Sequence, residues 1–372
     1  MDSGTCVFIT PHINQFGAEK SLVSLVSYVK QQGYEVLVIM PAKGPIVELL
    51  EEKEIPYIVE KFASIVNYSN RPRYIKGLVK RIFNYYKAVK VRRILGNRNI
   101  MFVHTNSIVT DFGVLLSKAI KCDHYQHIRE FADLDFNMTF ELGKKDLSRI
   151  QKASTKIICI SKAIENHYRY LGDNLCTIYN GVSLNSCPYV KKTKNNSNFR
   201  MVLTGRLGKE KGHYLVLDAL EYLDSIALSN ITLDFYGSGA CEEELKEIVI
   251  RKKLANRVKF CGYTKMIPYN LYDVGLMCSN YEGFGRVTVE YMLAGLPVIG
   301  SNSGATPELV HDGKTGLLYK AFDYKALATS IAALEKDRTA AQKMGEEGLK
   351  FAHSEFTEKR YLENVTNVLF AR

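Results

Sequence analysis

Nowhere in the 372 residues do eighteen apolar side chains run together, so no segment has the length and hydropathy to cross a bilayer. Residues 1–10 lack a basic stretch followed by a long apolar one, which argues against a secretory leader. No two of the eight cysteines have the two-residue spacing of a zinc or dithiol site. They read as reduced core residues, and a cytoplasmic setting is the simplest expectation. Low-complexity tracts and repeats are missing as well. What is left is a globular composition, 46% hydrophobic and 24% charged, in a chain too long for one core and comfortable for two.

The most telling absence is local. Between Lys61 and Thr110 there is no acidic residue, and residues 71–98 hold ten Lys or Arg side chains, in a protein whose net charge is +11. Ile75, Leu78, Val79, Ile82, Tyr86 and Val89 recur at helical spacing there, while Arg73, Lys76, Lys80, Lys87 and Lys90 fall largely elsewhere on the wheel. An ordinary solvated face would mix both signs, so this segment is expected to meet an anionic partner. An anionic membrane surface, reached through Arg73, Lys76, Lys80, Arg81 and Lys87, is the leading reading, with a plain basic domain helix as the alternative. Nucleic acid is set aside because its recognition motifs are absent.

Strand-like runs at residues 5–10, 35–40, 57–60, 100–106, 124–129 and 156–161 alternate with helical patterns such as 17–32 and 46–53, the opening of a doubly wound sheet. Residues 190–198 are polar and aperiodic, a linker. The alternation restarts at 199–204 and continues through 231–236, 258–261 and 274–279. The expected organisation is therefore an N-terminal domain 1–189, the linker, and a second domain 199–355.

Two stretches of the second domain carry chemistry. Glu282-Gly-Phe-Gly-Arg-Val-Thr-Val-Glu290 places one carboxylate on a glycine-punctuated turn and another on the helix that follows. Free amides at such a helix start suit an anionic, hydroxyl-rich ligand; two solvated glutamates are the plain alternative. Gly205-Arg-Leu-Gly-Lys-Glu-Lys-Gly212 puts Arg206, Lys209 and Lys211 where a helix dipole is also positive, which is unfavourable unless an anion sits there. In the first domain, His104 and His127 lie near strand ends. His124 and His127, three apart on a strand, point to opposite faces and do not read as a metal pair. Gly17 opens a helix, but no Gly-Lys-Ser follows, so it is not a Walker loop.

The 282–300 stretch, with Ser303-Gly-Ala-Thr-Pro-Glu308 and His311-Asp-Gly-Lys-Thr-Gly-Leu317 after it, resembles the retaining glycosyltransferases of family four. The resemblance implies an α/β chain of the GT-B fold: two Rossmann-like domains facing across a cleft, with a last helix in 356–372 crossing back to the first domain. It implies hexosyl transfer from a nucleoside-diphosphate sugar, as co-substrate, to a saccharide or lipid-linked acceptor, with no cofactor and no required metal. Arg206 and Lys211 would grip the diphosphate, with Lys209 a competitor. Glu282 would hold the donor sugar beside the Phe284 and Gly285 amides, and Glu290 the ribose. Gly262 and Tyr263 would border the nucleobase, amides near Gly17 and Thr306 would face the phosphates, and His127 would orient acceptor or sugar. Phe16 stands where the family has the first glycine of its Gly-Gly-Ala-Glu loop, a departure that puts a side chain where the family has bare backbone. Polysaccharide biosynthesis at the inner face of the cell membrane is the expected setting. The alternatives are a phosphorylase on the same fold and a non-catalytic nucleotide-sugar-binding scaffold.

Overall fold

Apolar runs bounded by glycine and polar turns pair as parallel strands when helices can cover both faces of the sheet. The computed structural model of the protein describes residues 4–184 and 198–371, so the expected linker falls outside the described residues apart from Asn198. The chain divides into two units, Met1–Asn180 with Tyr361–Arg372, and Gly181–Arg360.

In the first unit the strands are β1 (Thr5–Ile9), β2 (Glu35–Met40), β3 (Tyr57–Val59), β4 (Val66–Asn67), β5 (Ile100–Thr105), β6 (Asp123–Ile128), β7 (Thr139–Phe140), β8 (Lys156–Cys159) and β9 (Leu175–Thr177). Seven form a parallel sheet in the order β3-β2-β1-β5-β6-β8-β9, and β4 pairs with β7 in a separate antiparallel ribbon. In the second unit β10 (Phe199–Thr204), β11 (Ile231–Tyr236), β12 (Val258–Phe260), β13 (Val274–Met277), β14 (Val298–Ser301) and β15 (Gly316–Tyr319) form a parallel sheet in the order β12-β11-β10-β13-β14-β15. Each sheet reverses its winding once, between β1 and β5 and between β10 and β13. Loops leaving the carboxyl ends of strands at such a reversal part to opposite faces and leave a crevice.

Phe8, Val38, Phe102 and Tyr125 of the first sheet pack with Leu22, Leu25 and Val29 of the helix Gly17–Gln31. Tyr361, Leu362, Val365 and Leu369 of the last helix, Glu358–Leu369, join that same core, so the chain's end returns to the first unit as expected. The second sheet buries Phe199, Leu233 and Leu276 against Leu217 and Leu220 of His213–Ser225 and Leu327 and Ile331 of Tyr324–Lys336.

The basic segment does form a helix, Tyr74–Leu95, but its orientation departs from the expectation of a basic face turned to an anionic surface. Gly77, Asn84, Ala88, Val91 and Leu95 face inward. Flanking them, Lys80 donates to Glu141 at 2.7 Å, Arg81 bridges Asp111 at 2.9 Å and Asp146 at 2.6 Å, and Lys87 and Lys90 both reach Glu60 at 2.6 Å. Three of the five cations assigned to a membrane are thus paired with the body of the unit. The reason is the burial of Glu60, Asp111 and Glu141, since a buried carboxylate without a counter-charge is far more costly than an exposed aliphatic side chain. The apolar set turns outward instead: Ile75 is 83% exposed, and Leu78, Val79, Ile82 and Tyr86 are also exposed.

Candidate active site

The carboxyl ends of β10 and β13, neighbours at the reversal of the second sheet, lead into the two stretches singled out by sequence. From β10 the chain runs through Gly205 and Arg206 into a short 3-10 turn, Lys209–Lys211, before His213–Ser225 begins. Gly212, between them, has φ +78°, and a Cβ there would lie 2.1 Å from the Cys278 carbonyl oxygen. Only glycine lets this loop press onto the end of the neighbouring strand. The Asn280 amide donates to the Glu210 carbonyl at 3.0 Å and joins the two loops.

Lys211 Nζ donates to Glu282 Oε2 at 2.8 Å. Burial disfavours the Lys211 ammonium, but the Glu282 carboxylate more than compensates and raises its pKa above the ordinary lysine value. Arg206 is exposed and donates to Glu210 Oε1 at 2.7 Å. Burial pushes the Glu210 carboxyl up, but its own amide, Arg206 and Lys211 together bring it below the ordinary range. Lys209, the third cation of the loop, is exposed and has no ion pair among the described residues.

Glu282 is held by its backbone. The Ala305 amide donates to its carbonyl at 2.8 Å, and Gly304, at φ +54°, approaches so closely that a Cβ would lie 2.6 Å from Glu282 N and O. Phe284 is buried against Phe356, with ring centroids 5.8 Å apart, and Gly285 caps the helix Arg286–Leu293. Glu290, one turn into that helix, accepts from the Tyr269 hydroxyl at 3.3 Å. Thr306 opens the short helix Thr306–Leu309, but its amide already donates to the Ser303 carbonyl at 3.2 Å. Its buried Oγ1, not its amide, is the atom left without a partner. In the loop after β12, the Gly262 carbonyl accepts from Gly237 at 2.9 Å, and the Tyr263 ring is 69% exposed.

Gly17 and His127 belong to the first unit. Gly17 starts its helix behind Phe16, which is 70% exposed. His127 is fully buried at the end of β6, with Nδ1 3.2 Å from His104 Nε2 and 3.5 Å from Arg129 Nη2. Burial, then Arg129 and His104, push its pKa well below the ordinary value, so the ring is neutral. A guanidinium only donates, so Arg129 faces Nδ1 as a donor, and Nε2 is a buried atom without a partner. His124 instead meets Thr105 at 2.9 Å and Ser154 at 2.8 Å, in keeping with the opposite faces expected of the two histidines.

Several site residues escaped sequence reasoning. Glu210 sits between two lysines that drew the attention, although it is the counter-ion of Arg206. Arg129 was visible only as part of His127-Ile-Arg-Glu130, yet it donates to Asn106 at 2.5 Å, Asn180 at 2.7 Å and the Tyr361 hydroxyl at 2.8 Å. Its three partners lie far apart in sequence, which is why no local pattern reveals them. The expectation of no required metal also overlooked one Asp-x-Asp triplet, Asp133-Leu-Asp135. Asp133 pairs with Lys144 at 3.2 Å and His167 at 2.8 Å, Asp135 accepts from the Phe131 amide at 2.9 Å, and no group of three or more metal-ligating side chains occurs among the described residues.

Two Rossmann-like sheets, each with one reversal of strand order, are the fold of the GT-B glycosyltransferases. HepE of Anabaena, solved in complex with UDP and glucose, superposes over 99% of this chain and 100% of its own, with a TM-score of 0.78 at 22% identity. Residues 17–186 match the model of Glycosyltransferase Family 4, and residues 190–351 that of Glycosyl transferases group 1. The chain belongs to this family of glycosyltransferases. The lipopolysaccharide core biosynthesis mannosyltransferase LpsB of Rhizobium meliloti (strain 1021) is 41% identical over 27% of this chain and 29% of its own length. A glycogen synthase of Mycobacterium tuberculosis is 26% identical over 52% of this chain and 48% of its own. The matched region thus spans less than half of either relative.

Proposed function

We propose that the protein transfers a hexosyl unit, with retention of configuration and without a required metal, from a nucleoside-diphosphate sugar to an acceptor hydroxyl. The observation that carries this reading is the 2.8 Å Lys211–Glu282 pair at the β10/β13 switch point, with Arg206 and Glu210 on the same loop. Each cation is matched to a partly exposed carboxylate, an arrangement that a diphosphate can enter by exchange. Lys211 and Arg206 then take the β-phosphate, and Glu282 is released to accept from the donor sugar's hydroxyls. As the bond from the anomeric carbon to the β-phosphate oxygen breaks, negative charge grows on the leaving group. Fixed cations stabilise that charge without reorganising, and a single such donor is worth about 10²- to 10³-fold in turnover. The acceptor oxygen attacks the face the diphosphate leaves, and its proton passes to the departing phosphate oxygen.

Glu290 and Tyr269 serve the ribose, Gly262 and Tyr263 the base, and the Phe284 and Gly285 amides the sugar. Amides near Gly17 and the Thr306 hydroxyl serve the phosphates. His127 orients acceptor or sugar through Nε2. The acceptor is a saccharide or lipid-linked precursor presented at the cytoplasmic surface of the membrane, in polysaccharide biosynthesis.

Hydrolysis of a panel of nucleotide sugars tests the reading. UDP-glucose comes first, because HepE is crystallised with UDP and glucose, and a mannosyl donor second, because of LpsB. Turnover should need the nucleotide and survive chelation. Sugar release that depends on inorganic phosphate and ignores nucleotides would instead make the protein a phosphorylase. Tight donor binding with no turnover on any acceptor would make it a scaffold.

A further inference from the structure

The outward face of the helix Tyr74–Leu95 is apolar where a water-soluble surface is expected to be polar. Ile75, Leu78, Val79, Ile82 and Tyr86 follow the i, i+3, i+4, i+7, i+11 pattern of a single stripe. At 1.5 Å per residue the stripe is about 17 Å long. It lies opposite the inward face, Gly77, Asn84, Ala88, Val91 and Leu95. Tyr74, Tyr85 and Tyr68 extend the exposed surface around it.

The fold holds this orientation rather than merely allowing it. Turning the helix about its axis would pull Arg81 from Asp111, Lys80 from Glu141 and Lys87 from Glu60, leaving three buried carboxylates unpaired. A Cβ at Gly77 would lie 2.7 Å from Leu142 and 2.8 Å from Glu141 side-chain atoms, so the helix is also seated closely on the segment after β7.

Exposed cations frame the stripe. Arg71, Arg73 and Lys76 stand at one end and Arg92, Arg93 and Arg98 at the other, all exposed and none in an ion pair among the described residues. No acidic residue lies between Lys61 and Thr110 to offset them. This charge pattern selects among occupants. A second copy docking the same face would bring one cationic end against another in either helix orientation, a like-charge contact. A bilayer with anionic headgroups accepts the apolar stripe at its acyl boundary and the six cations at its surface in one geometry. Among the described residues no helix is long and apolar enough to cross a membrane, so such a face would lie in the interface rather than span it.

We infer that the outward stripe Ile75–Leu78–Val79–Ile82–Tyr86 inserts into the interface of an anionic bilayer, with the flanking arginines and Lys76 on the headgroups. This rests on the reading of the acceptor as membrane-borne, and it changes how the protein attaches. Lys80, Arg81 and Lys87 serve the scaffold, and apolar insertion rather than charge alone retains the protein on the lipid.

Sedimentation of the full chain with vesicles of phosphatidylcholine, with and without phosphatidylglycerol, tests it. The wild type should pellet with the anionic vesicles, and raised salt should weaken this binding without abolishing it, because only the headgroup contacts are screened. The combined variant Ile75→Ser, Val79→Ser, Ile82→Ser should lose about tenfold or more of its partitioning while keeping its circular dichroism and Tm, since all three side chains are already in water. Lys87→Gln should lower Tm and leave partitioning within about twofold. A wild type that ignores anionic vesicles at low salt, or a triple variant that binds like the wild type, overturns the inference. So does a wild-type dimer in sedimentation velocity that the triple variant converts to monomer, because a second copy would then cover the face. Donor hydrolysis measured on the same preparations separates the two readings: vesicle binding without hydrolysis sinks the transferase, and hydrolysis without vesicle binding sinks the insertion.

Discussion

Two clusters of cations in this chain look alike in sequence and differ in the structure. Arg206 and Lys211 pair with Glu210 and Glu282, and the Glu282 side chain keeps 19% of its surface in water. Arg81 pairs with Asp111, whose side chain has none. In the loop, a ligand anion can reach the cations and the displaced carboxylates can turn to solvent or to hydroxyls. Under the helix, the carboxylates are sealed, so the cations cannot leave without stranding a buried charge. A run of positive charge therefore marks an anion site only where its counter-ions are exchangeable. Where they are buried, the same residues are scaffold.

The comparison breaks first, and by the widest margin, at Lys211 and Glu282. Lys211→Ala should lower turnover about 10²- to 10³-fold and weaken the nucleoside diphosphate by about 1.5 to 3 kcal/mol. Calorimetry should show a much smaller loss for the monophosphate, and an equal loss would mean that Lys211 does not meet the terminal phosphate. Glu282→Ala should lower turnover comparably while leaving diphosphate affinity near wild type, since the role proposed for it is to hold the donor sugar.

Arg81→Ala should do the opposite. Removing the counter-ion of Asp111 and Asp146 should destabilise the first unit by about 3 kcal/mol, read as a shift of the urea midpoint, with nucleotide binding unchanged. If calorimetry shows diphosphate affinity falling with it, the division between ligand and scaffold cations is wrong.

A smaller effect is expected at Glu290. Its replacement by Ala should weaken diphosphate and intact donor by the same amount, about 1 kcal/mol, because both carry the ribose. Losses that differ between the two nucleotides would reassign it to the sugar.

The smallest is an acid limb in stability. Burial pushes the Glu60 carboxyl up, but Lys87 and Lys90 hold it below its ordinary value in the folded chain. A carboxyl with a lowered folded pKa contributes stability that is complete above its unfolded pKa, about 4.3, and is lost as pH falls through the folded value. Glu60→Gln should therefore reduce Tm at neutral pH and narrow its gap to wild type below about pH 4. An equal gap at both pH values would show that the pair contributes no charge-dependent stability.

Much of the site is legible in the order of residues alone. Gly285 and Gly212 announce turns that only glycine adopts, and Arg206, Lys211 and Glu282 sit in loops whose strands are short apolar runs. That Lys211 rather than Lys209 meets Glu282 is not legible there, because the two lysines differ only in their place on a 3-10 turn. Arg129 stays hidden among its neighbours because Asn106, Asn180 and Tyr361 come to it from three separate segments.

By itself the sequence determined the alternation of strand and helix, its restart in a second unit and the helical period of residues 74–95, whereas the returning last helix was implied by the family resemblance. The first three rest on short-range patterns: side-chain period, glycine turns and the apolar content of single runs. Only the tertiary structure decided which way that helix faces. Its apolar stripe would ordinarily turn inward, but Glu60, Asp111 and Glu141, drawn from strand ends and loops elsewhere in the first unit, are buried beneath it. Their desolvated charge outweighs the exposure of five apolar side chains, and that balance is set by residues about 30 to 60 positions away in the chain, beyond the reach of any local pattern.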